Sequence, residues 1–273
     1  MINYTNFSNI NKLQNEFQKS LPVRHLVFDN FLSDRVFKNV LNEFNLDIQE
    51  TVNYIHFSQN KYGLTKIDKM GNETKKMIYF FASQKFLNLL SNITGIQNLK
   101  FDLDLHNGGL HGTKRGGHLN IHRDFATHPN HPTWKRRLNI IIYLNEIWEN
   151  DWGGALELWN SDRSECQKRI SPTKNKCLLF DITKAFHGYP DPLKCPENVI
   201  RKSIALFFFT DEKKILKSVP TFYTTRKQDL LAKKILIFFD RQLVKLYQFL
   251  FKNFKISNKK IEKLLIFFFK RKK

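Results

Sequence analysis

The stretch GGHLNIHRDF, residues 116–125, decides how the rest of this sequence is interpreted. It places His122 two residues before Asp124. In a strand, residues i and i+2 point to the same side of the sheet, so the imidazole and the carboxylate could bind one ion. A second histidine from elsewhere would complete the two-histidine, one-carboxylate face that holds non-haem Fe(II). Because a His-x-Asp triplet often arises by chance, this interpretation depends on what the rest of the chain supplies.

The charge of the chain is concentrated at its C-terminal end. Of the formal net charge of +20, residues 213–273 contribute +15, from 18 Lys and Arg against 3 Asp and Glu. Residues 1–212 therefore carry only about +5, and the basicity says little about their substrate. With 41% hydrophobic residues among 273, the chain can bury a full core.

The cysteines and the apolar runs indicate a cellular location. Cys166, Cys177 and Cys195 are an odd number without a CxxC motif, which predicts free thiols in a reducing cytoplasm. The first residues lack the pattern of a signal peptide, and no uncharged apolar run is long enough to span a membrane. We therefore expect a cytoplasmic protein.

Helices are predicted in the first part of the chain and strands after Gly95, which indicates an α+β protein. Apolar residues at helical spacing predict helices over residues 34–44, 73–82 and 83–93, and Gly95 is expected to end the last one. Residues 51–72 are expected to be irregular. After Gly95, short apolar segments separated by turn residues predict strands at 99–105, 118–122, 138–144, 155–159, 176–182 and 200–209. This order favours helices packed on the outside of a jelly-roll sheet.

One predicted strand, LNIIIYLN at residues 138–145, has two different faces. Its even-numbered positions, residues 138–144, are wholly apolar and should pack on a core. The other face carries Asn139, Tyr143 and Asn145 and could line a pocket. Tyr143 is equally well explained as a core tyrosine with a satisfied hydroxyl group.

His187 is the best-placed third ligand, because it follows an apolar strand in the sequence KAFHGYPDP, residues 184–192. Taken singly, a histidine is more often structural. His118 shares a face with His122 and could line the same pocket.

Arg201 begins the strand RKSIALFFFT, residues 201–210, and shares a face with the small residues Ser203 and Ala205. A guanidinium in an apolar barrel needs a carboxylate to offset its desolvation. The alternatives are a surface arginine at a strand start, or Lys202 as the cation that binds the anion.

Together these segments resemble the Fe(II)/2-oxoglutarate-dependent dioxygenase superfamily, in particular its prolyl 4-hydroxylase-like branch. The matching motifs run in family order over about residues 95–212: His122-x-Asp124, RRLNIIIYLN, WGGALELW, FHG and RKSIALFFFT. The resemblance implies a double-stranded β-helix with His122, Asp124 and His187 as iron ligands. It also implies that Arg201 and Tyr143 hold 2-oxoglutarate. The 14 residues from His187 to Arg201 are more than is common in the branch.

The resemblance implies an enzyme that uses Fe(II), 2-oxoglutarate and O₂, with ascorbate as an accessory cofactor. Such an enzyme hydroxylates an unactivated C–H bond and releases succinate and CO₂. The substrate stays open between a prolyl residue, a glycan, a lipid and a small metabolite. The alternative is a jelly-roll binding protein with a vestigial metal site.

The chain is interpreted as three parts, with residues 1–94 as a helical support region, 95–212 as the jelly roll and 213–273 as a C-terminal tail. The tail is expected to be helical and amphipathic. Apolar and basic positions predict a helix over residues 229–254 and a second short segment at 261–269. The favoured role for residues 229–273 is to lie on an anionic membrane surface, ahead of contact with a partner or a second protomer. Nucleic-acid binding is disfavoured, because phosphate contact does not require so rich an apolar face.

Overall fold

The computed structural model describes residues 1–47 and 49–254 and divides the chain into two compact units, residues 1–226 and the residues from 227 onward. The first unit holds the sheet and four helices, and the second holds one long helix. The helices are α1 (Ile10–Lys19), α2 (Asp34–Asn42), α3 (Asn72–Ala82), α4 (Gln84–Thr94) and α5 (Leu231–Phe254).

The strands of the first unit pair antiparallel in one curled sheet. Their bounds are β1 (His25–Phe28), β2 (Val52–His56), β3 (Gln59–Leu64), β4 (Leu99–Phe101), β5 (Gly109–Thr113), β6 (His118–Arg123), β7 (Trp134–Tyr143), β8 (Leu156–Trp159), β9 (Cys166–Ile170), β10 (Cys177–Asp181), β11 (Phe186–Tyr189), β12 (Arg201–Asp211) and β13 (Phe222–Tyr223). The main path runs β1–β10–β7–β12–β5–β3–β6–β11–β8–β9. This is the jelly roll with supporting helices that the sequence predicts.

The outer face of the sheet packs against the N-terminal helices. From β7 the fully buried side chains of Leu138, Ile140 and Ile142 enter this core, together with alternate residues of β12 and β10. The helices contribute large apolar side chains such as Phe37 of α2 and Phe81 of α3, both no more than 1% exposed. The predicted apolar face of residues 138–144 is therefore confirmed, and it holds β7 in register.

The inner face of the sheet forms a second, smaller core. Tyr143, Leu158 and Phe180 are completely buried there, and Leu119 of β6 and Tyr189 of β11 join them. The polar residues of β7 and β12 also point to this side. The interior of the jelly roll is therefore apolar at one end and polar where the candidate site lies.

Several predicted element boundaries differ from the structure. The predicted strand at 99–105 ends at Phe101, and β7 begins at Trp134, four residues before its predicted start. Strands β5, β9 and β11 were not predicted, because glycine, histidine and charged residues interrupt their apolar patterns. By contrast, α4 ends as predicted at Gly95, whose φ of 75° is the left-handed conformation that glycine adopts readily.

The prediction that residues 51–72 are irregular was wrong. Strands β2 and β3 form a hairpin in this segment, with Tyr54 directly opposite Lys61. Strand β3 also pairs with β5 and with β6, which both lie far along the chain. The hairpin depends on these distant partners rather than on its own polar sequence, which is why local propensity failed.

The second unit, described by itself, contains the predicted tail helix, which is confirmed as α5 over Leu231–Phe254. The predicted segment at 261–269 lies outside the described residues. Within the part of the chain that the structure describes, no helix has both the length and the apolarity needed to cross a bilayer.

Candidate active site

Two adjacent strands bring the three predicted metal ligands together. His122 of β6 lies directly opposite His187 of β11 in the antiparallel ladder, and Asp124 follows the last residue of β6. Asp124 Oδ1 lies 3.2 Å from His122 Nε2, and Asp124 Oδ2 lies 3.6 Å from His187 Nε2. Among the described residues, these three are the one group whose ligand atoms could hold a metal ion. His187 lies within a strand and not at the strand end that the sequence predicts.

The hydrogen bond of His122 and the pKa of His187 suit metal binding. His122 Nδ1 lies 2.9 Å from the carbonyl oxygen of Asn120, so this nitrogen donates to it and Nε2 is the atom that faces Asp124. Burial lowers the pKa of His187 to about 3, and its imidazole is therefore neutral at physiological pH. Neutral imidazole nitrogens together with a carboxylate oxygen are the donor set that Fe(II) takes in two-histidine, one-carboxylate sites.

Arg136 and Asn139 hold the carboxylate of Asp124, a role that the sequence alone did not assign. Arg136 Nη2 lies 3.1 Å from Asp124 Oδ2, and Asn139 Nδ2 donates to the same oxygen at 2.9 Å. Arg136 Nε also donates to Asn139 Oδ1 at 3.0 Å, which closes the triangle. Burial raises the pKa of Asp124, but the Arg136 guanidinium and the two imidazoles together hold it well below its usual range. Asp124 is therefore an anion fixed in one orientation.

Two aromatic rings enclose the guanidinium of Arg136. Its central carbon lies 3.4 Å from the ring centre of Phe207 and 4.6 Å from that of Phe125, and the residue is only 1% exposed. Burial lowers the pKa of Arg136 to about 10, and Asp124 opposes that shift. The arginine stays charged at neutral pH. Strict alternation along β7 would place Arg136 on the apolar face with Leu138, and the register of β7 with β12 shifts at this point, so the sequence alone did not indicate its role.

Arg201 begins β12 and is 3% exposed. Its Nε donates to the carbonyl oxygen of Gly154 at 2.8 Å, and its guanidinium carbon lies 4.2 Å from the Tyr189 ring centre. No carboxylate of the described chain is within ion-pair distance of this guanidinium. A buried guanidinium without an anion is costly, so the site fits a ligand that brings a carboxylate.

Tyr143 lies beside Arg201, with its ring centre 5.1 Å from the guanidinium carbon. Its hydroxyl group is buried and has no hydrogen-bond partner among the described residues. Burial raises the pKa of Tyr143 to about 12, so the hydroxyl keeps its proton and can donate it. An unpartnered donor beside an unpaired guanidinium fits the carboxylate of 2-oxoglutarate.

The competing cation, Lys202, faces the opposite side of β12. Its ammonium lies 5.6 Å from the Phe44 ring centre, and it lines a different cavity on the outside of the sheet. Of the two cations that the sequence left open, Arg201 is the one that faces the candidate site.

A cavity of about 160 Å³ connects the metal triad with Arg201. His111 of β5 lines it, and the Nε2 of His111 has no hydrogen-bond partner in the described part of the chain. The hairpin residues Tyr54 and Lys61 also line the cavity. Tyr54 and Lys61 were missed, because the hairpin was not predicted. His118, which could have lined the pocket or been structural, places its Nε2 at 3.2 Å from the carbonyl oxygen of Phe57.

A jelly roll with a two-histidine, one-carboxylate triad at one end of an interior cavity and an unpaired guanidinium at the other is an arrangement that suits mononuclear non-haem iron chemistry. Residues 108–209 match the family model of the 2OG-Fe(II) oxygenase superfamily. This match confirms the predicted resemblance to a superfamily whose name specifies 2-oxoglutarate and Fe(II).

Two known proteins show how far the similarity extends. Prolyl 3-hydroxylase OGFOD1 of Mus musculus is 26% identical over 195 residues, which cover 69% of this chain and 33% of that protein. The chain thus spans about a third of this relative's length. The crystal structure of a Pseudomonas putida prolyl 4-hydroxylase superimposes with a TM-score of 0.53 at 13% identity, covering 74% of this chain and all of that one. This likeness confirms the prolyl 4-hydroxylase type of double-stranded β-helix.

The role of Asn139 can be tested through metal affinity. We expect Asn139→Ala to weaken Mn(II) binding, measured by electron paramagnetic resonance, by about tenfold, because Asp124 loses a donor that orients it. The matched control Asn88→Ala, on the exposed side of α4, should bind Mn(II) like the wild type. An Asn139→Ala protein that folds normally and keeps wild-type affinity would contradict the assignment.

Proposed function

We propose that this chain is a 2-oxoglutarate-dependent dioxygenase that hydroxylates an unactivated C–H bond of a peptidyl or small-molecule substrate. One observation carries the proposal. A triad that can hold Fe(II) and a buried, unpaired Arg201 lie at the two ends of one cavity. A protein that only bound a neutral ligand would need neither of them.

The residues at the two ends have separate tasks. His122, Asp124 and His187 would hold the iron, while Arg201 and the Tyr143 hydroxyl would hold the distal carboxylate of 2-oxoglutarate. Bound Fe(II) and 2-oxoglutarate would supply the oxidising chemistry, in which O₂ is consumed and succinate and CO₂ are released. The family pattern also leaves room for ascorbate as an accessory cofactor.

The protein itself positions the substrate and keeps water out. Apolar side chains line the cavity between its two polar ends, among them Leu119, Phe125, Ile141 and Phe207. Such walls exclude water from the reacting C–H bond and strengthen the interactions of the buried charges. No general base is required of the chain, because the bond that breaks is a C–H bond that carries no acidic proton.

The activities named for similar proteins favour a peptidyl substrate. The Mus musculus relative is named a prolyl 3-hydroxylase, and the Pseudomonas putida structure is that of a prolyl 4-hydroxylase. A prolyl residue is therefore the first substrate to test here. A glycan, a lipid and a small metabolite are the others.

The alternative is a jelly-roll binding protein with a vestigial site. The two positioning donors on Asp124, at 2.9 and 3.1 Å, weigh against this alternative. A decayed site has no need to keep a buried arginine and an asparagine on its carboxylate, since burying such polar groups costs free energy without a function.

Succinate formation tests the enzyme directly. Wild-type protein supplied with Fe(II), 2-oxoglutarate and O₂ should release succinate, measured by mass spectrometry, even without the substrate. Asp124→Ala should lower the rate by about 100-fold or more, because a ligand is lost. The matched control Asp104→Ala removes an exposed carboxylate 20 residues earlier in the chain and should leave the rate unchanged. Wild-type protein that makes no succinate would favour the binding-protein alternative.

The choice between Arg201 and Lys202 has its own test. Arg201→Met should weaken 2-oxoglutarate binding to the Mn(II)-loaded protein by about 10- to 100-fold, measured by isothermal titration calorimetry, since charge-assisted hydrogen bonds are lost. Lys202→Met, on the opposite face of the same strand, should change the affinity by less than about twofold. The reverse result would assign the anion to Lys202.

The tail helix is proposed to lie on an anionic membrane surface. Within α5 the apolar side chains that are about half exposed follow one side of the helix, and they are Ile235, Leu236, Phe238, Phe239, Leu243 and Leu246. Basic residues such as Lys233 and Lys245 occupy other positions, in a segment, residues 213–273, with a net charge of +15. Apolar bulk and positive charge together favour anionic lipid. The free thiols of Cys166, Cys177 and Cys195 support a cytoplasmic location facing such a surface.

Vesicle binding tests this tail proposal. The full chain should sediment with vesicles of phosphatidylserine and phosphatidylcholine but not with phosphatidylcholine alone, and raised salt should weaken the binding. The double substitution Phe239→Ser and Leu243→Ser should reduce binding by about tenfold or more, because apolar area is lost. Tyr79→Ser, an exposed aromatic substitution on α3, is the matched control. Unchanged binding of the double variant would reject the membrane role and favour contact with a protein partner.

A further inference from the structure

The hairpin of β2 and β3 places a lysine inside the candidate active site. Lys61 lies directly opposite Tyr54 in the hairpin, and both side chains line the cavity that contains the metal triad. The Lys61 ammonium lies 5.2 Å from the Tyr54 ring centre. Alternation along β3 sends the neighbouring Tyr62 to the opposite face, where it lines the outer cavity. Lys61 is therefore an inward-facing residue of the site.

Lys61 has no counter-ion. Unlike Arg136, which is paired with Asp124, its ammonium forms no ion pair within the described chain. Burial lowers the pKa of Lys61 to about 8, and the charge of Asp124 limits that fall. The lysine is still mostly charged at neutral pH. An unpaired cation inside a cavity costs free energy, and a ligand that supplies an anion would recover it.

The charges that line the cavity do not balance. Lys61, Arg136 and Arg201 stand against the single carboxylate of Asp124, a formal excess of +2. If the proposed function is right, Fe(II) and the 2-oxoglutarate dianion add equal and opposite charges. The excess therefore persists in the loaded enzyme, and a further anion is favoured there.

The position of Lys61 distinguishes it from Arg201. Arg201 is 3% exposed, whereas Lys61 and its partner Tyr54 are only partly buried. The lysine residue consequently keeps more contact with solvent than Arg201 does. Arg201 occupies the deep end, where the cosubstrate is proposed to bind.

We propose that Lys61 binds a carboxylate or phosphate group of the substrate, and that it thereby selects substrates with such an anion close to the C–H bond to be hydroxylated. This inference rests on the proposed oxygenase function. Lys61 is then a specificity-determining residue, and Tyr54 restricts the position of its ammonium by packing beneath it.

Phosphorus NMR of inorganic phosphate provides the test. In the full chain loaded with Mn(II) and 2-oxoglutarate, the paramagnetic ion should broaden the phosphate signal saturably, because phosphate binds in the same cavity. Lys61→Met should weaken phosphate binding by about tenfold, the value of one charge-assisted hydrogen bond. Lys61→Arg should keep it, and the exposed control Lys66→Met should match the wild type.

Two comparisons separate the sources of the anion. If Lys61 holds the substrate, Lys61→Met should lower the affinity for phosphate at least fivefold more than the affinity for 2-oxoglutarate, measured by calorimetry. The proposal would be overturned if Lys61→Met weakened the binding of 2-oxoglutarate alone. It would also be overturned if Lys61→Met left the broadening of the phosphate signal unchanged. Wild-type protein that makes succinate but shows no phosphate binding would overturn this inference alone. Absence of succinate would instead overturn the proposed function.

Discussion

The buried ion pair between Arg136 and Asp124 is the interaction on which the site depends. Either charge alone in this interior would carry a desolvation penalty of about several kcal/mol, as buried ions do. The attraction between the two charges offsets much of that penalty. The pair also sets the geometry. Because Arg136 and Asn139 both bond Oδ2 of Asp124, that oxygen is held from the β7 side and Oδ1 is turned toward His122. A carboxylate fixed in this way can accept a cation without rearranging.

The same strand register that fills the core also delivers the donors to Asp124. On β7, Leu138 and Ile140 enter the core beneath the helices, and Asn139 between them points to the opposite side. A slip of one residue would bury Asn139 among apolar side chains and remove it from the site. Packing of α2, α3 and α4 on the outer face therefore acts on the site indirectly, because it excludes the other register. The pairing of His122 with His187 across β6 and β11 is fixed by the same sheet.

The sequence allowed the jelly roll and the residues of the triad to be predicted, because their strands are apolar and their motifs run in a recognisable order. The hairpin that carries Tyr54 and Lys61 could not be predicted in this way. Its strands are polar, and β3 is held by β5 and β6, which lie about 45 to 60 residues later in the chain. The contacts of Arg136 and Asn139 with Asp124 could not be predicted for another reason. A motif shows that Arg136 is present, but only the fold shows which carboxylate it contacts.

The charges that line the cavity and the charges of the tail respond differently to ionic strength. The excess positive charge of the cavity lies among apolar walls, where interactions between charges are strong. The second unit has a net charge of +11 over residues 227–273, from 14 Lys and Arg against 3 Asp and Glu. Interactions between charges in contact with solvent are screened over about 8 Å at physiological ionic strength. Ionic strength should thus act on the attachment of the tail while leaving the charge of the cavity unchanged. The net charge of the whole protein consequently describes its tail and says nothing about what its active site selects.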